Sequence, residues 1–375
     1  MKNRYVTAAA FAVLGFSAGA RAQTCTVGTP VKFEPPAGVY PGKFQPGFAN
    51  ALSVYGPAGA RKLLMRQNYG YSIFSLVNPA SPAVENFRDV ETTLPKNGDG
   101  FETVLDVAGA PDGSRALVGY KQTPNGTLLM QPQGAGFTFA GDFSPTRPLG
   151  GAAILQQGSR YLGFSLTNTA LGVADITVFG TGTTARSIPN EIVLGSPGGR
   201  QLQVAGNHVV YINSANVVIV DASVIGSIGA LSAGFAFHLH SLTSIGLAGD
   251  SVAAVSAAIH PVSGALYLVV EGKLGSETKG IVLLRSTDGG GTLTRVGNVY
   301  VPPTPFSGAG SSTPGVALLL PTSDSLLAFF WAQVSGKSRL YTMDAGSWGV
   351  NRTPNAEFDS ANFAGQFPGP SAMKG

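Results

Sequence analysis

Short apolar, β-branched segments recur along this chain, with clusters of Gly, Pro, Asn and Asp between them. Leu63 to Met65 and Tyr71 to Val77 form one pair, ending at Asn78-Pro79. Thr103 to Val107, the turn Pro111-Asp112-Gly113-Ser114, and Arg115 to Tyr120 form another, followed by Thr127 to Met130. The pattern continues through Ala152–Leu155, Tyr161–Leu166 and Ile176–Phe179, then Leu202–Ala205, Val209–Asn213 and Val217–Asp221. Val252–Ile259, Ala265–Glu271, Ile281–Arg285, Val316–Leu320, Leu326–Trp331 and Leu340–Met343 complete it. Segments of this length, bounded by turn residues and rich in Val, Ile, Leu and Phe, read as strands. Composition excludes the alternatives. With 51 Gly, 25 Pro and only 12% charged residues, the chain lacks the Glu, Lys and Arg that surface helices need. Its 44% hydrophobic content is too high for a disordered polymer.

The second strand of each group centres near Leu64, Leu117, Leu162, Val210, Leu268 and Ala328. The clearer spacings run from about 45 to 60 residues, the range of four-stranded propeller blades with variable loops. The expected fold is therefore all-β: a β-propeller of six four-stranded blades, with seven the alternative, spanning 47–348. Residues 23–46 form an N-terminal segment, and 349–375 a C-terminal segment that closes the propeller or hangs loose. Asp250 to Val299 is the plainest blade. Its strand Ala265 to Glu271 is almost continuously apolar, as expected where neighbouring blades cover both faces.

The first 22 residues read as a removable leader. Lys2 and Arg4 precede the small and apolar run Thr7 to Ala20, and Ala20-Arg21-Ala22 places cleavage before Gln23. Losing Lys2, Arg4 and Arg21 takes three charges from a formal +4 and leaves +1. That balance gives no electrostatic case for nucleic acid or an anionic membrane. No later run is long enough for a transmembrane helix. The lone cysteine, Cys25, cannot form an internal disulfide. A lipid anchor on Cys25 is the minor alternative, since Ala22-Gln23-Thr24 fits the lipoprotein pattern poorly.

One turn carries a resemblance. Ser286-Thr287-Asp288-Gly289-Gly290-Gly291-Thr292-Leu293 resembles the Asp-box, or BNR repeat, of sialidase-like propellers, with Ser286, Asp288, Gly290 and Thr292 matching and Leu293 in place of the usual tryptophan. Thr342-Met343-Asp344-Ala345-Gly346-Ser347-Trp348 looks like a second, degenerate copy. The resemblance implies a structural role for these residues, joining third and fourth strands away from any substrate. It does not extend to the sialidase site: no Phe-Arg-Ile-Pro segment stands near the N-terminus, and the arginines form no assignable triad. Physically, Asp288 can accept N–H bonds within its own turn and Gly290 can take positive φ.

Three further groups have chemistry worth weighing. His238 and His240 alternate around Leu239, so on a strand both rings face one side; with His260 or Glu271 they could hold a metal ion or a ligand. Against this stand a supply of four histidines and the packing character of Phe235-Ala236-Phe237. Glu102, Val104 and Asp106 share one strand face, where two carboxyls could serve as acid and base, or as solvated channel residues. Asn97-Gly98-Asp99-Gly100 has a calcium-loop flavour, but Pro95 stands at the first ligand position.

These observations imply a secreted or periplasmic propeller, non-catalytic and monomeric, that binds a protein or glycan on one rim. The alternative is a carbohydrate-active or lactone-opening hydrolase with an axial pocket worked by Glu102 and Asp106. No cofactor is expected; a calcium or other metal ion is the low-odds variant. The Ala-rich leader leans toward a bacterial source.

Overall fold

In the computed structural model, the described residues are 52–67, 70–78, 82–89, 103–121, 126–143, 151–166, 171–178, 192–194, 200–213, 216–224, 237–248, 252–275, 278–302, 317–334, 337–348 and 356–359. They form six four-stranded antiparallel sheets, each built from four strands consecutive in the chain. Sheet 1 comprises β1 (Leu52–Tyr55), β2 (Lys62–Gln67), β3 (Gly70–Ser75) and β4 (Ala83–Asp89). Sheet 2 comprises β5 (Thr103–Gly109), β6 (Ala116–Lys121), β7 (Gly126–Gln133) and β8 (Gly136–Phe143). Sheet 3 comprises β9 (Gly151–Gln157), β10 (Arg160–Leu166), β11 (Leu171–Asp175) and β12 (Ile192–Leu194). Sheet 4 comprises β13 (Arg200–Ala205), β14 (His208–Asn213), β15 (Asn216–Asp221) and β16 (Phe237–Ser241). Sheet 5 comprises β17 (Val252–Ile259), β18 (Leu266–Leu274), β19 (Thr278–Ser286) and β20 (Thr294–Tyr300). Sheet 6 comprises β21 (Ala317–Pro321), β22 (Leu326–Val334), β23 (Lys337–Asp344) and β24 (Ala356–Asp359).

The apolar runs follow from what lies on either side of each sheet. In β14, Val209 and Tyr211 pack into a core shared with sheet 3, while Val210 and Ile212 pack into one shared with sheet 5. Alternation along a strand is thus divided between two neighbours, and the middle of the strand is apolar without interruption. Five apolar clusters join sheets 1–2, 2–3, 3–4, 4–5 and 5–6 in turn. A sixth, Leu63, Met65 and Phe74 with Leu52, Val54 and Leu76, belongs to the far face of sheet 1 alone. The first strands of successive sheets lie side by side, β1 against β5, β5 against β9, β9 against β13, β13 against β17 and β17 against β21.

Each sheet is an up-and-down meander. Its first-to-second and third-to-fourth connections therefore emerge at one end, here termed the turn end. The second-to-third connection and the link to the next sheet emerge at the other, the loop end.

Two features depart from the strand pattern read in the sequence. The third strand of sheet 3 is Leu171–Asp175, not Ile176 to Phe179. Ile176 is apolar because it is fully buried in the turn that follows, with its N–H donating to the Tyr161 carbonyl at 2.9 Å. Sheet 6 takes its fourth strand from beyond Trp348, out of the segment expected to close the propeller or hang loose.

Candidate functional site

The turn end is held by one repeated device. The third strand finishes on a short polar side chain that accepts the N–H two residues on. Ser75 receives Val77 at 3.4 Å, Asp175 receives Thr177 at 2.9 Å, Asp221 receives Ser223 at 2.9 Å, and Asp344 receives Gly346 at 2.7 Å. Ser286 receives Asp288 at 3.4 Å in sheet 5. In sheets 1, 3 and 4 the intervening residue continues the pairing with its own N–H: Leu76 to the Arg61 carbonyl at 2.8 Å, Ile176 to the Tyr161 carbonyl at 2.9 Å, and Ala222 to the Asn207 carbonyl at 2.7 Å. Short side chains of this kind mimic a backbone partner and close turns without a regular ladder. Sheet 2 differs, with only Gly134 and Ala135 between its last two strands.

In sheet 5 the device is extended. Ser286 Oγ donates to Asp288 Oδ1 at 2.7 Å and accepts the Gly290 N–H at 2.9 Å, while Asp288 Oδ1 accepts the Thr292 N–H at 2.9 Å. These bonds, the Thr292 N–H first and Ser286 second, hold the Asp288 carboxyl well below the usual carboxylate range. Gly290 adopts φ 97°. A Cβ there would lie 2.5 Å from Ile219 Cγ2 of sheet 4, so the turn is packed against its neighbour. His240 Nε2, also from sheet 4, donates to the Gly290 carbonyl at 2.7 Å.

The stretch Thr342 to Trp348 sits differently from the copy that its sequence suggests. Asp344 stands opposite Leu327 as Ser286 stands opposite Leu266, so Asp344 occupies the place of Ser286 and not that of Asp288. Trp348 is fully buried, donates its indole N–H to the Asn298 carbonyl at 3.2 Å, and meets Phe330 edge-on with centroids 6.4 Å apart. It ties sheet 6 to sheet 5.

Between sheets 2 and 3 the turn end carries an ionic cluster. The Arg115 guanidinium stacks 3.7 Å above the Tyr161 ring and donates to the Ile176 carbonyl, while Tyr161 donates its hydroxyl proton to Asp112. Burial alone would raise Asp112, but the hydrogen bonds from Tyr161 and Ser114 together outweigh it and hold the carboxyl low. Asp175 is likewise lowered: bonds from Thr177 and Arg160 outweigh its burial.

The loop end has another character: its buried polar groups lie inside the junctions between sheets. Thr127 and Ser165 share a hydroxyl bond of 2.8 Å between sheets 2 and 3, with no exposure of either. Between sheets 5 and 6, Lys279 Nζ lies 2.7 Å from Glu271 Oε1, with side-chain exposures of 7% and 0%. Arg66 of β2 and Asp106 of β5 are each buried and lie within electrostatic reach of one another. Burial raises the Asp106 carboxyl to about 7 against the opposing pull of Arg66. At the start of β13, Gln201 is the one non-glycine residue with positive φ, 60°, among the described residues, and its Oε1 accepts the Val255 N–H at 2.9 Å. Such strain persists only where neighbouring bonds enforce it.

The nominated residues thus fall in several places. Glu102 and Asn97 to Gly100 lie outside the described residues. Asp106 is on a first strand as expected, but its side chain is buried and not in open channel water. His238 and His240 share β16 of sheet 4, whereas Glu271 faces sheet 6 from the far side of sheet 5, so the three do not converge. His260 caps its own turn, its Nδ1 accepting the N–H groups of Val262 and Ser263 at 3.3 and 3.2 Å. No group of three His, Cys, Asp or Glu side chains suited to a metal ion occurs among the described residues. The sequence reading missed Arg66, Lys279 and the Arg115–Tyr161 pair. Nothing local marks them, since each becomes notable only through a residue about 8 to 46 positions away.

No family profile and no curated protein matches this chain. Solved structures do resemble it. U3-55K shares 11% identity over 84% of this chain and 83% of its own, with a TM-score of 0.50. Hydrazine synthase of Kuenenia stuttgartiensis shares 12% identity over 83% and 80%, with a TM-score of 0.49. A mitotic checkpoint complex matches at 12% over 88% and 86%, with a TM-score of 0.46. At these identities the likeness concerns fold alone, and it is to β-propellers. No helix among the described residues is long and apolar enough to cross a membrane.

Proposed function

We propose that this chain is an exported, non-catalytic β-propeller of six blades that grips a protein or glycan partner at its loop end. The observation that carries the reading is the contrast between the two ends. At the turn end, Ser75, Asp112, Asp175, Asp221, Asp288 and Asp344 are committed to backbone N–H groups of their own turns. At the loop end, the described polar side chains Arg66, Thr127, Ser165, Glu271 and Lys279 are buried within the sheets. Rigid scaffolds presenting variable loops at one end commonly bind there. Export rests on Lys2, Arg4, the run Thr7 to Ala20 and the site before Gln23, with a lipid on Cys25 as the alternative end of the mature chain.

Closure into six blades is supported by burial at the two terminal sheets. Phe74 on the far face of sheet 1 is 1% exposed, and Thr342 on the far face of sheet 6 is fully buried. Each of those faces needs a cover, and in a radial array the last sheet meets the first.

The test is made on chain 23–375 with a glycan array and a panel of exported proteins. Replacing 301–316 or 90–102 by Gly-Ser of equal length is expected to abolish binding, while Val178→Asp and Val262→Asp at the turn end leave it intact. Loss confined to the turn-end variants would overturn the reading.

One observation favours a second reading, the hydrolase: an inner-strand carboxyl raised to about 7 is suited to a general acid. Turnover in a glycosidase and lactonase screen, abolished by Asp106→Asn with binding retained, would establish it in place of the first.

A further inference from the structure

At the turn end of sheet 4, β14 and β15 place His208 directly opposite Asp221. Val210 and Ile219, two residues inward on each strand, pack into the core shared with sheet 5, so both polar side chains stand on the face toward sheet 5. Directly opposed residues of an antiparallel pair have Cβ atoms about 4.5–5.5 Å apart. What these two face is the turn from Ser286 to Thr292. The point that an alanine Cβ would occupy at Gly289 lies 3.2 Å from Asp221 Oδ2 and 3.7 Å from His208 Nε2. Gly289 has φ 72°, and without a side chain it leaves that point clear.

Each of the two groups is oriented through its other polar atom. His208 Nδ1 lies 3.3 Å from the Ala205 carbonyl, which can only accept, so Nδ1 carries the hydrogen and Nε2 presents a lone pair. Asp221 Oδ1 accepts the Ser223 N–H at 2.9 Å, which fixes the carboxylate while Oδ2 points to Gly289. An imidazole held by a carbonyl and a carboxylate held by a donor are the supports that metal ligands commonly have. The other imidazoles are placed differently. His240 engages Nε2 with the Gly290 carbonyl, and His260 accepts two N–H groups at Nδ1, which puts its own proton on Nε2. His238 stands opposite Ile219 and not a carboxylate.

We propose that His208 and Asp221 form a two-ligand site for a divalent transition-metal ion such as zinc, seated between the β14–β15 strand ends and Gly289 of the neighbouring sheet, with water completing its shell. One imidazole nitrogen and one carboxylate oxygen suit zinc, nickel or copper; calcium and magnesium take oxygen ligands. Two protein ligands, where a structural zinc site has four, make this an exchangeable ion and not a folding element. The inference rests on neither functional reading.

The test is a zinc titration of the Cys25→Ser protein, followed by calorimetry and by long-range 1H–15N spectra of its four imidazoles. Before zinc is added, the His208 ring should show the Nδ1–H tautomer. Zinc is expected to bind at a single equivalent and to move the His208 Nε2 signal first, whereas calcium at the same concentration does neither. His208→Gln and Asp221→Asn should each weaken zinc binding by about tenfold or more. Gly289→Ala, which fills the seat, should weaken it as well. No saturable zinc binding, shifts at His238 or His240 without one at His208, or an affinity unchanged in both ligand variants would overturn the site. Should Gly289→Ala disturb the fold, the two ligand variants carry the comparison, since both side chains are only half-buried.

Discussion

Ser256 Oγ accepts the backbone N–H of Leu319 at 3.0 Å, so a side chain of one first strand completes the edge of the next. The arrangement recurs around the fold. Ser53 accepts the Gly109 N–H at 2.9 Å, and Gln203 both donates to the Val255 carbonyl at 2.8 Å and accepts the Ala257 N–H at 3.3 Å. First strands have one edge without a ladder partner, and a buried N–H left there would be costly. Ser256→Ala is therefore expected to destabilise the protein by about 1–3 kcal/mol, because Ser256 is buried and its loss orphans the Leu319 N–H. Urea unfolding measures it.

Gly290 provides a sharper contrast. An alanine Cβ would meet Ile219 at 2.5 Å and sit on a backbone at φ 97°, so strain and overlap add. Gly290→Ala should cost about 2–4 kcal/mol. Gly134 also has positive φ, 60°, but nothing lies within 4 Å of its Cβ position. Gly134→Ala should then cost only about 1 kcal/mol, from backbone alone. Pairing Gly290→Ala with Ile219→Ala should recover part of the loss; equal costs at the two glycines would show that packing against sheet 4 is not what Gly290 serves.

Stability should have two opposed acid dependences. The raised Asp106 adds stability as pH falls from about 7 toward 4, where the folded state alone holds the proton. Asp112 and Asp175 are lowered, so their contribution is present above the ordinary carboxylate range and disappears as pH falls below it. Chemical denaturation from pH 3 to pH 8 should accordingly show Asp106→Asn flattening the profile between 4 and 7, and Asp175→Ala flattening it below 4. A shared effect in one window would contradict the assignment.

Trp348 should report on the contact between sheets 5 and 6. Buried against Phe330 and bonded to Asn298, it is expected to emit at short wavelength, and Trp348→Ala to cost about 3–5 kcal/mol. Trp348→Phe, which keeps the ring contact and drops the N–H, should cost much less.

The interior strands were legible in the sequence because both their faces are buried: Val209 to Ile212 and Leu266 to Val270 are apolar without interruption. The fourth strands were not. In β20, Thr294, Arg295, Gly297 and Asn298 are exposed, so neither alternation nor an apolar run marks the strand. The turn-end device was present as Asp175, Asp221 and Asp344, each closing a third strand, but one aspartate per sheet is too sparse a signal without the register. The box at Ser286 was conspicuous because sheet 5 elaborates that device most. The loop-end pairs were hidden for a different reason: Arg66 and Asp106 come within electrostatic reach only through the packing of two sheets. No local pattern encodes that meeting.

The closed six-sheet ring can be tested by pulsed dipolar spectroscopy on Cys25→Ser protein. One sample carries nitroxides at Val84 on β4 and position 357 on β24, the other at Val84 and Thr138 on β8. A closed ring makes sheets 6 and 1 neighbours like sheets 1 and 2, so the two distance distributions should coincide within label uncertainty. A separation to position 357 longer by about 10 Å or more, the thickness of one packed sheet, would contradict closure and with it the six-bladed propeller.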